Sequence, residues 1–269
     1  MVWKQQLQEL GYCVIPCLSA DEVELGLALF ETWRIVNRIP VAPHGVISHY
    51  RVGHTAFAWW CRTRPKIRGV FEELWNTSEL VVSFDGACYF PENLKRRNTN
   101  WWHVDQAPRD KGFKCVQGFV AFTDNEEATL MVVPGSHLEF GTRFEGNNSP
   151  KRWYKVPGHH EGVRVKVNAG DLVLWDSRLI HQNSYGPEKR LVQYLSYLPR
   201  SGLISTQASK RVKYFQEKRT TSHWAYPVSV NSLQPQVFGD NSKLIRYSDL
   251  VETGQDLLED LANSIKELV

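Results

Sequence analysis

Two histidines and one aspartate stand where they could share a metal ion. The run Trp101-Trp102-His103-Val104-Asp105-Gln106 contains an H-x-D, and in extended backbone residues i and i+2 point to the same face, so His103 and Asp105 can reach one ion. An H-x-D alone is a weak signal, because chance supplies such pairs in a chain of this length. A third ligand is offered by His181, which ends the run Gly170-Asp171-Leu172-Val173-Leu174-Trp175-Asp176-Ser177-Arg178-Leu179-Ile180-His181. That run reads as a turn, a strand and then a histidine that a strand could return to the pair. Two imidazoles and one carboxylate leave three positions of an octahedral ion free, an arrangement suited to non-haem Fe(II) and O2. The same donors also accommodate Zn(II) with a bound water as nucleophile. Further on, Arg190 opens the run Arg190-Leu191-Val192-Gln193-Tyr194. Its planar fork suits bidentate binding of a carboxylate, which implies an acidic co-substrate.

These groups need a scaffold, and the chain spells one out. Residues 3–10 have a helical pattern, Gly11 breaks it, and Tyr12-Cys13-Val14-Ile15-Pro16 is a short strand ended by proline. Ser19-Ala20-Asp21-Glu22 is a capping-box signal, followed by a helix with Val23, Leu27, Phe30 and Ile35 on its apolar side. A loop punctuated by Pro40, Pro43, Gly45 and Gly53 leads to a second helical pattern over 67–75, with Val70, Phe71 and Leu74 on one side. From Leu80 the character changes to strand-like runs at 80–84, 116–122, 130–133, 163–167, 172–175 and 191–198. Short strands without regular strand-helix alternation indicate a mainly β fold with flanking helices (α+β), a double-sheet jelly roll or double-stranded β-helix. One domain over 1–269 is expected, with a helical cover about 1–79, a β core about 80–200 and a C-terminal extension about 201–269. Leu257, Leu258, Leu261, Ile265 and Leu268 form the stripe of an acidic terminal helix that lids the domain's own core.

Composition limits the partners. Of 269 residues, 42% are hydrophobic and 23% charged, an ordinary globular balance that excludes wholesale disorder. The net charge of +3 is too small to imply nucleic-acid binding. The basic runs Lys95-Arg96-Arg97, Lys210-Arg211 and Lys218-Arg219 read as solvated surface, although they lie close in sequence to tryptophans and could hold a phosphate-bearing substrate. Five cysteines without a C-x-x-C argue against a disulfide framework and a thiolate zinc site. The opening MVWKQQLQEL lacks an apolar signal core, and no run approaches the roughly 18 apolar residues of a membrane span. A monomer in the cytoplasm or nucleus, without membrane contact, is the expectation.

The order H-x-D, then Val132-Val133-Pro134-Gly135-Ser136-His137, then Gly170 to His181, then Arg190 resembles the phytanoyl-CoA dioxygenase-like family of Fe(II)- and 2-oxoglutarate-dependent oxygenases. The opening Gly11-Tyr12-x-Val14-Ile15-Pro16 and its following helix are similar too. The resemblance implies that His103, Asp105 and His181 bind Fe(II), that Arg190 pairs with the far carboxylate of 2-oxoglutarate, and that Gln117 stands at its near end. The chelating keto acid would fill two iron positions and leave the last for O2. The implied reaction hydroxylates a small-molecule substrate and releases succinate and carbon dioxide. Because Asp105 is present, no ligand place is vacant for halide, so the halogenating relatives are disfavoured. Trp102, Gln106, His223 and Trp224 are expected on the substrate side. His137 is expected in a tight turn rather than on the metal, and Asp85 and Asp124 read as turn residues at strand ends. Two rivals stay open: a non-catalytic jelly-roll binding module, and the same oxygenase chemistry on a nucleobase or protein side chain.

Overall fold

The runs Val116–Ala121, Asp171–Asp176 and Arg190–Leu195 are buried along their whole length. A strand with no solvent-facing side needs cover on both faces. The computed structural model, which describes residues 2–93, 96–226 and 245–269, places them at the heart of a six-stranded antiparallel sheet. Its order is Tyr12–Pro16, Asp171–Asp176, Val116–Ala121, Arg190–Leu195, Ala87–Phe90 and Val46–Ile47. Pro16 is tolerated because its strand lies at the sheet edge, where a missing N–H breaks no ladder.

A second sheet of five short strands faces the first, in the order Tyr154–Lys155, His103–Val104, His181–Asn183, Leu130–Val132 and Val163–Arg164. Between the sheets pack Phe119, Val173, Trp175 and Val192 from the large sheet and Leu130 and Val132 from the small one. This is the double-stranded β-helix. The expected strand at 163–167 shrinks to the two residues Val163–Arg164, both exposed at the sheet edge. The strand Leu80–Val82 pairs apart from both sheets, with Tyr197–Pro199.

The outer face of the large sheet presents Val116, Val120, Leu172, Leu174, Leu191 and Leu195 to the helices. The helix Ala20–Val36 begins at the expected box, with the Ser19 hydroxyl accepting from Glu22 N–H and the Glu22 carboxylate accepting from Ser19 N–H. It buries Val23, Gly26, Phe30 and Trp33, while Ile35 stands 64% exposed because it falls off that stripe. The second helix runs Pro65–Trp75, two residues earlier than its apolar pattern, since proline fits the first turn. The terminal stripe is carried by two helices, Gln255–Asp260 and Ala262–Leu268, divided at Leu261. Both pack on the helical side of the large sheet, with Ile265 and Leu268 buried.

Of the basic runs, Lys95 lies outside the described residues, and Arg96 and Arg97 are exposed. Arg211 corrects the surface reading: it is fully buried and donates to the carbonyls of Ala225, Leu268 and Val269. All five cysteines are free and buried. Among the described residues no helix is long and apolar enough to cross a membrane.

Candidate metal centre and the chambers beside it

His103 and His181 meet because their strands are neighbours in the small sheet, in a register that sets one directly opposite the other. Their rings lie 4.3 Å apart between centroids. Asp105 follows on the same face as His103, and its backbone N–H is tied to the Ser177 carbonyl, so the His181 approach also fixes the aspartate. The carboxylate stands 3.6 Å from His103 Nε2 and 3.3 Å from His181 Nε2. One ligand atom from each residue lies within 4.8 Å of the other two, and all three side chains are buried.

The hydrogen bonds prepare this cluster for a cation. His181 Nδ1 donates to the Leu179 carbonyl at 2.9 Å, and His103 Nδ1 to the Trp101 carbonyl at 3.2 Å. That tautomer leaves the Nε2 lone pairs free to coordinate. Burial and the adjoining His181 push His103 down to about 3, so it stands neutral at ordinary pH. Burial alone would raise the Asp105 carboxyl, yet the imidazoles around it hold it well below the usual carboxylate range. Its Oδ2 is buried with no hydrogen-bond partner. A carboxylate oxygen and two nitrogen lone pairs converging without partners fit a divalent metal ion.

A cavity of about 200 Å³ opens from His103 and His181 toward Asn183, Tyr194 and Trp175. Alternation along Arg190–Leu195 and Val116–Ala121 turns Arg190, Tyr194, Gln117 and Phe119 to the inner face with them. Arg190 is 1% exposed; its Nη1 donates to Asn183 Oδ1 at 3.0 Å, while Nη2 has no partner. Both the Nε2 and the Oε1 of Gln117 are buried and unpartnered as well, beside Trp175 in the register. Orphaned polar atoms cost about 1–3 kcal/mol each, which a polar ligand here would relieve.

Residues 48–184 match the family model described as phytanoyl-CoA dioxygenase (PhyH), half of the chain and the part that holds the whole triad. The chain belongs to the phytanoyl-CoA dioxygenase family. Its members are Fe(II)- and 2-oxoglutarate-dependent oxygenases. Among curated proteins, the Ava biosynthesis cluster protein O of Aspergillus versicolor is 30% identical over 197 residues, covering 63% of this chain and 62% of that protein. The chain spans a little under two thirds of the length of the curated relatives it matches. Two solved structures share the fold. The epimerase SnoN, in complex with Fe3+, alpha ketoglutarate and nogalamycin RO, superposes with a TM-score of 0.54 at 20% identity, over 74% of this chain and 82% of that one. EctD from S. alaskensis with 2-oxoglutarate and 5-hydroxyectoine gives 0.53 at 19% identity, over 75% and 76%.

On the substrate side this phytanoyl-CoA dioxygenase relative departs from expectation at two of four residues. Trp102 points away from the metal into an apolar cluster with Val104, Phe140, Phe144 and Ile180. Trp101 lines the cavity instead and stacks on the His103 ring at 5.0 Å and 11°. The period of two decides this: 101, 103 and 105 share a face and 102 does not. Gln106 is spent on the chain, donating to the carbonyls of Asp110 and Gly112 and accepting from the Ser177 hydroxyl at 2.9 Å. His223 and Trp224 do line a second cavity, of about 310 Å³, which also touches Asp105, Arg152 and Trp153. Asp85, read as a turn residue, is the partner of His223: its Oδ2 faces His223 Nδ1 in a short contact. Asn183 and Tyr194 could have been found, since each shares a strand face with a predicted ligand, two residues after His181 and four after Arg190. His137 is in a turn as expected, bonded to the Gln8 carbonyl.

Proposed function

We propose that this protein is an Fe(II)- and 2-oxoglutarate-dependent oxygenase that hydroxylates a small molecule. The observation that carries the reading is a buried His103/Asp105/His181 cluster that opens on a cavity, together with unpartnered buried atoms of Arg190, which is bonded to the cavity residue Asn183, and of Gln117. A zinc hydrolase would need the three ligands but would have no use for a buried guanidinium and an amide prepared for a dicarboxylic acid. When bound, iron with 2-oxoglutarate and O2 supplies the oxidising power that is spent on a substrate C–H bond.

The chain's own residues do the rest. His103 and His181 would hold the metal ion through Nε2, and Asp105 through its carboxylate. Arg190 receives the far carboxylate of the keto acid through Nη2, and Asn183 keeps the guanidinium in place through Nη1. Gln117 offers an amide N–H to the near end of the acid. Trp101 and Trp153 flank the His103 ring and keep water from that side of the cluster. The name of the Aspergillus relative refers to a biosynthesis cluster, which supports a small-molecule substrate over a macromolecular one.

The deciding experiment is an anaerobic Fe(II) titration with 2-oxoglutarate, watching for the visible metal-to-ligand charge-transfer band. Wild type should give the band and His181→Ala should not. Iron binding without any band would overturn the reading and turn attention to zinc hydrolysis.

A further inference from the structure

The second cavity is built around a charged pair that the iron and keto-acid assignments do not use. The Asp85 carboxylate is fixed from several sides: Oδ1 accepts from the Gly86 N–H at 2.7 Å, and Oδ2 meets His223 Nδ1. The buried Arg62 holds the Asp85 backbone carbonyl at 2.7 Å and the Gly53 carbonyl as well. The imidazole is fixed with equal care. Thr221 N–H donates to the Phe84 carbonyl at 2.8 Å, the Thr221 hydroxyl accepts from Phe84 N–H at 3.0 Å, and Arg211 clamps the Ala225 carbonyl at 2.6 Å. The Tyr194 ring sits edge-on to the imidazole at 5.1 Å.

With Nδ1 engaged, Nε2 is the nitrogen left for a ligand. The ring lines both cavities, and 32% of its side-chain surface is open. Burial alone would lower the imidazole, but the Asp85 charge and hydrogen bond outweigh it and lift the group to about 9, so it is an imidazolium at neutral pH. Arg152 borders the same chamber, its guanidinium 5.0 Å over the Trp224 ring, and Trp153 forms another wall. The chamber therefore brings the Nε2 donor of His223 and two aromatic walls together beside Asp105. Of its two carboxylates, Asp85 is neutralised by His223, and Asp105 is neutralised once it holds a cation.

We propose that His223, oriented by Asp85, donates a hydrogen bond from Nε2 to a carboxylate of the substrate, so that the chamber takes small molecules carrying a carboxylate next to a flat apolar group. The proposal rests on the oxygenase reading above, and it makes His223 a substrate-binding residue rather than a keto-acid ligand. A charge-assisted hydrogen bond of this kind distinguishes a carboxylate from its neutral amide by about tenfold or more.

The test uses protein loaded anaerobically with Fe(II) and saturating 2-oxoglutarate, so that the Arg190 site is filled. Benzoate and benzamide are titrated as probes, followed by tryptophan fluorescence, which does not depend on turnover. Wild type should bind benzoate about tenfold tighter than benzamide. His223→Gln should lose that preference while forming the charge-transfer band at the wild-type concentration of 2-oxoglutarate. Equal affinity for the two probes in wild type overturns the proposal without any variant, so a misfolded His223→Gln does not protect it. Preference retained in His223→Gln overturns it too. A variant that needs more 2-oxoglutarate instead would assign the pair to the keto acid and likewise overturn it. A wild type without the band sinks the oxygenase reading, while the probe preference, read by fluorescence, still decides whether the chamber recognises a carboxylate.

Discussion

The two sheets of this protein divide the work unequally. The large sheet carries three strands of six residues, buried on both faces, and its ladder runs unbroken from Tyr12–Pro16 to Arg190–Leu195. The small sheet has strands of two or three residues, and two of them, Tyr154–Lys155 and Val163–Arg164, are partly or fully exposed. Yet the small sheet bears two of the three metal ligands, and the large one bears Arg190 and Gln117. Short strands contribute little cohesion of their own, so the ligand geometry leans on the large sheet packed beneath it. In return the small sheet is free of the need to maximise apolar contact and can carry two imidazoles side by side. Stability resides in the large sheet, which also lends the site Arg190 and Gln117, while the small sheet supplies the two histidines.

The strongest way to break this comparison is to swap the consequences of mutation between layers. His181→Ala should abolish the iron and 2-oxoglutarate band and turnover altogether, while costing the metal-free protein much less stability than a core truncation. Leu174→Ala, on the helical face of the large sheet, should do the opposite: about 2–5 kcal/mol lost in denaturant unfolding, with the band intact in the folded fraction. If His181→Ala unfolds the protein as readily as Leu174→Ala, the division of labour is wrong. Arg190→Ala is intermediate by design, a chemical residue on the structural sheet. It should raise the 2-oxoglutarate requirement by roughly 30-fold or more, because a paired, buried carboxylate contact is worth about 2–5 kcal/mol. Keto-acid affinity is read directly from the band titration, and an unchanged value would move the carboxylate elsewhere.

The same contrast explains what could be read from the amino-acid order. The large sheet announces itself, because short, strongly apolar runs such as Phe119–Phe122 and Leu172–Trp175 have few other solutions, and the helix after Ser19 declares its own start. Its inward and outward faces are also written in the sequence, through the alternation that separates Val116 and Val120 from Gln117 and Phe119. The small sheet is legible in part: the runs at 130–133 and 163–167 read as strands and His103 and His181 signal a site, whereas the two-residue strands His103–Val104 and Tyr154–Lys155 leave no periodic trace. Trp102 packs into an apolar cluster, and the period of two is sufficient to put Trp101 on the metal side instead. Gln106 and Arg211 have a different cause, since side-chain hydrogen bonds to backbone carbonyls, near in the chain for Gln106 and distant for Arg211, leave no signature in residue type or spacing. Asp85 belongs with them: a carboxylate at a strand end is ordinarily a turn residue, and only the fold brings residue 223 to it.

The Asp85–His223 pair gives the smallest effect and sharpens the comparison most finely, because it joins the strand end at residue 85 to the C-terminal segment and belongs to neither sheet. The folded protein lifts the imidazole from 6.5 to about 9, the Asp85 charge overriding the burial that would depress it. A group whose folded value is raised binds its proton more tightly in the native state than in the unfolded one. Its contribution to stability is therefore complete below about pH 6.5 and is lost as the pH climbs through about 9. Wild type and His223→Gln should accordingly differ most in unfolding free energy near pH 6 and converge by about pH 10. The measurement is a pair of urea denaturation series across that range. A difference that stays constant with pH would mean that the imidazole is held by packing against Tyr194 rather than by charge, and the chamber would then lose its cation. If the gap closes as expected, the same ion pair that fastens the C-terminal segment to residue 85 also holds a hydrogen-bond donor over the chamber beside the metal.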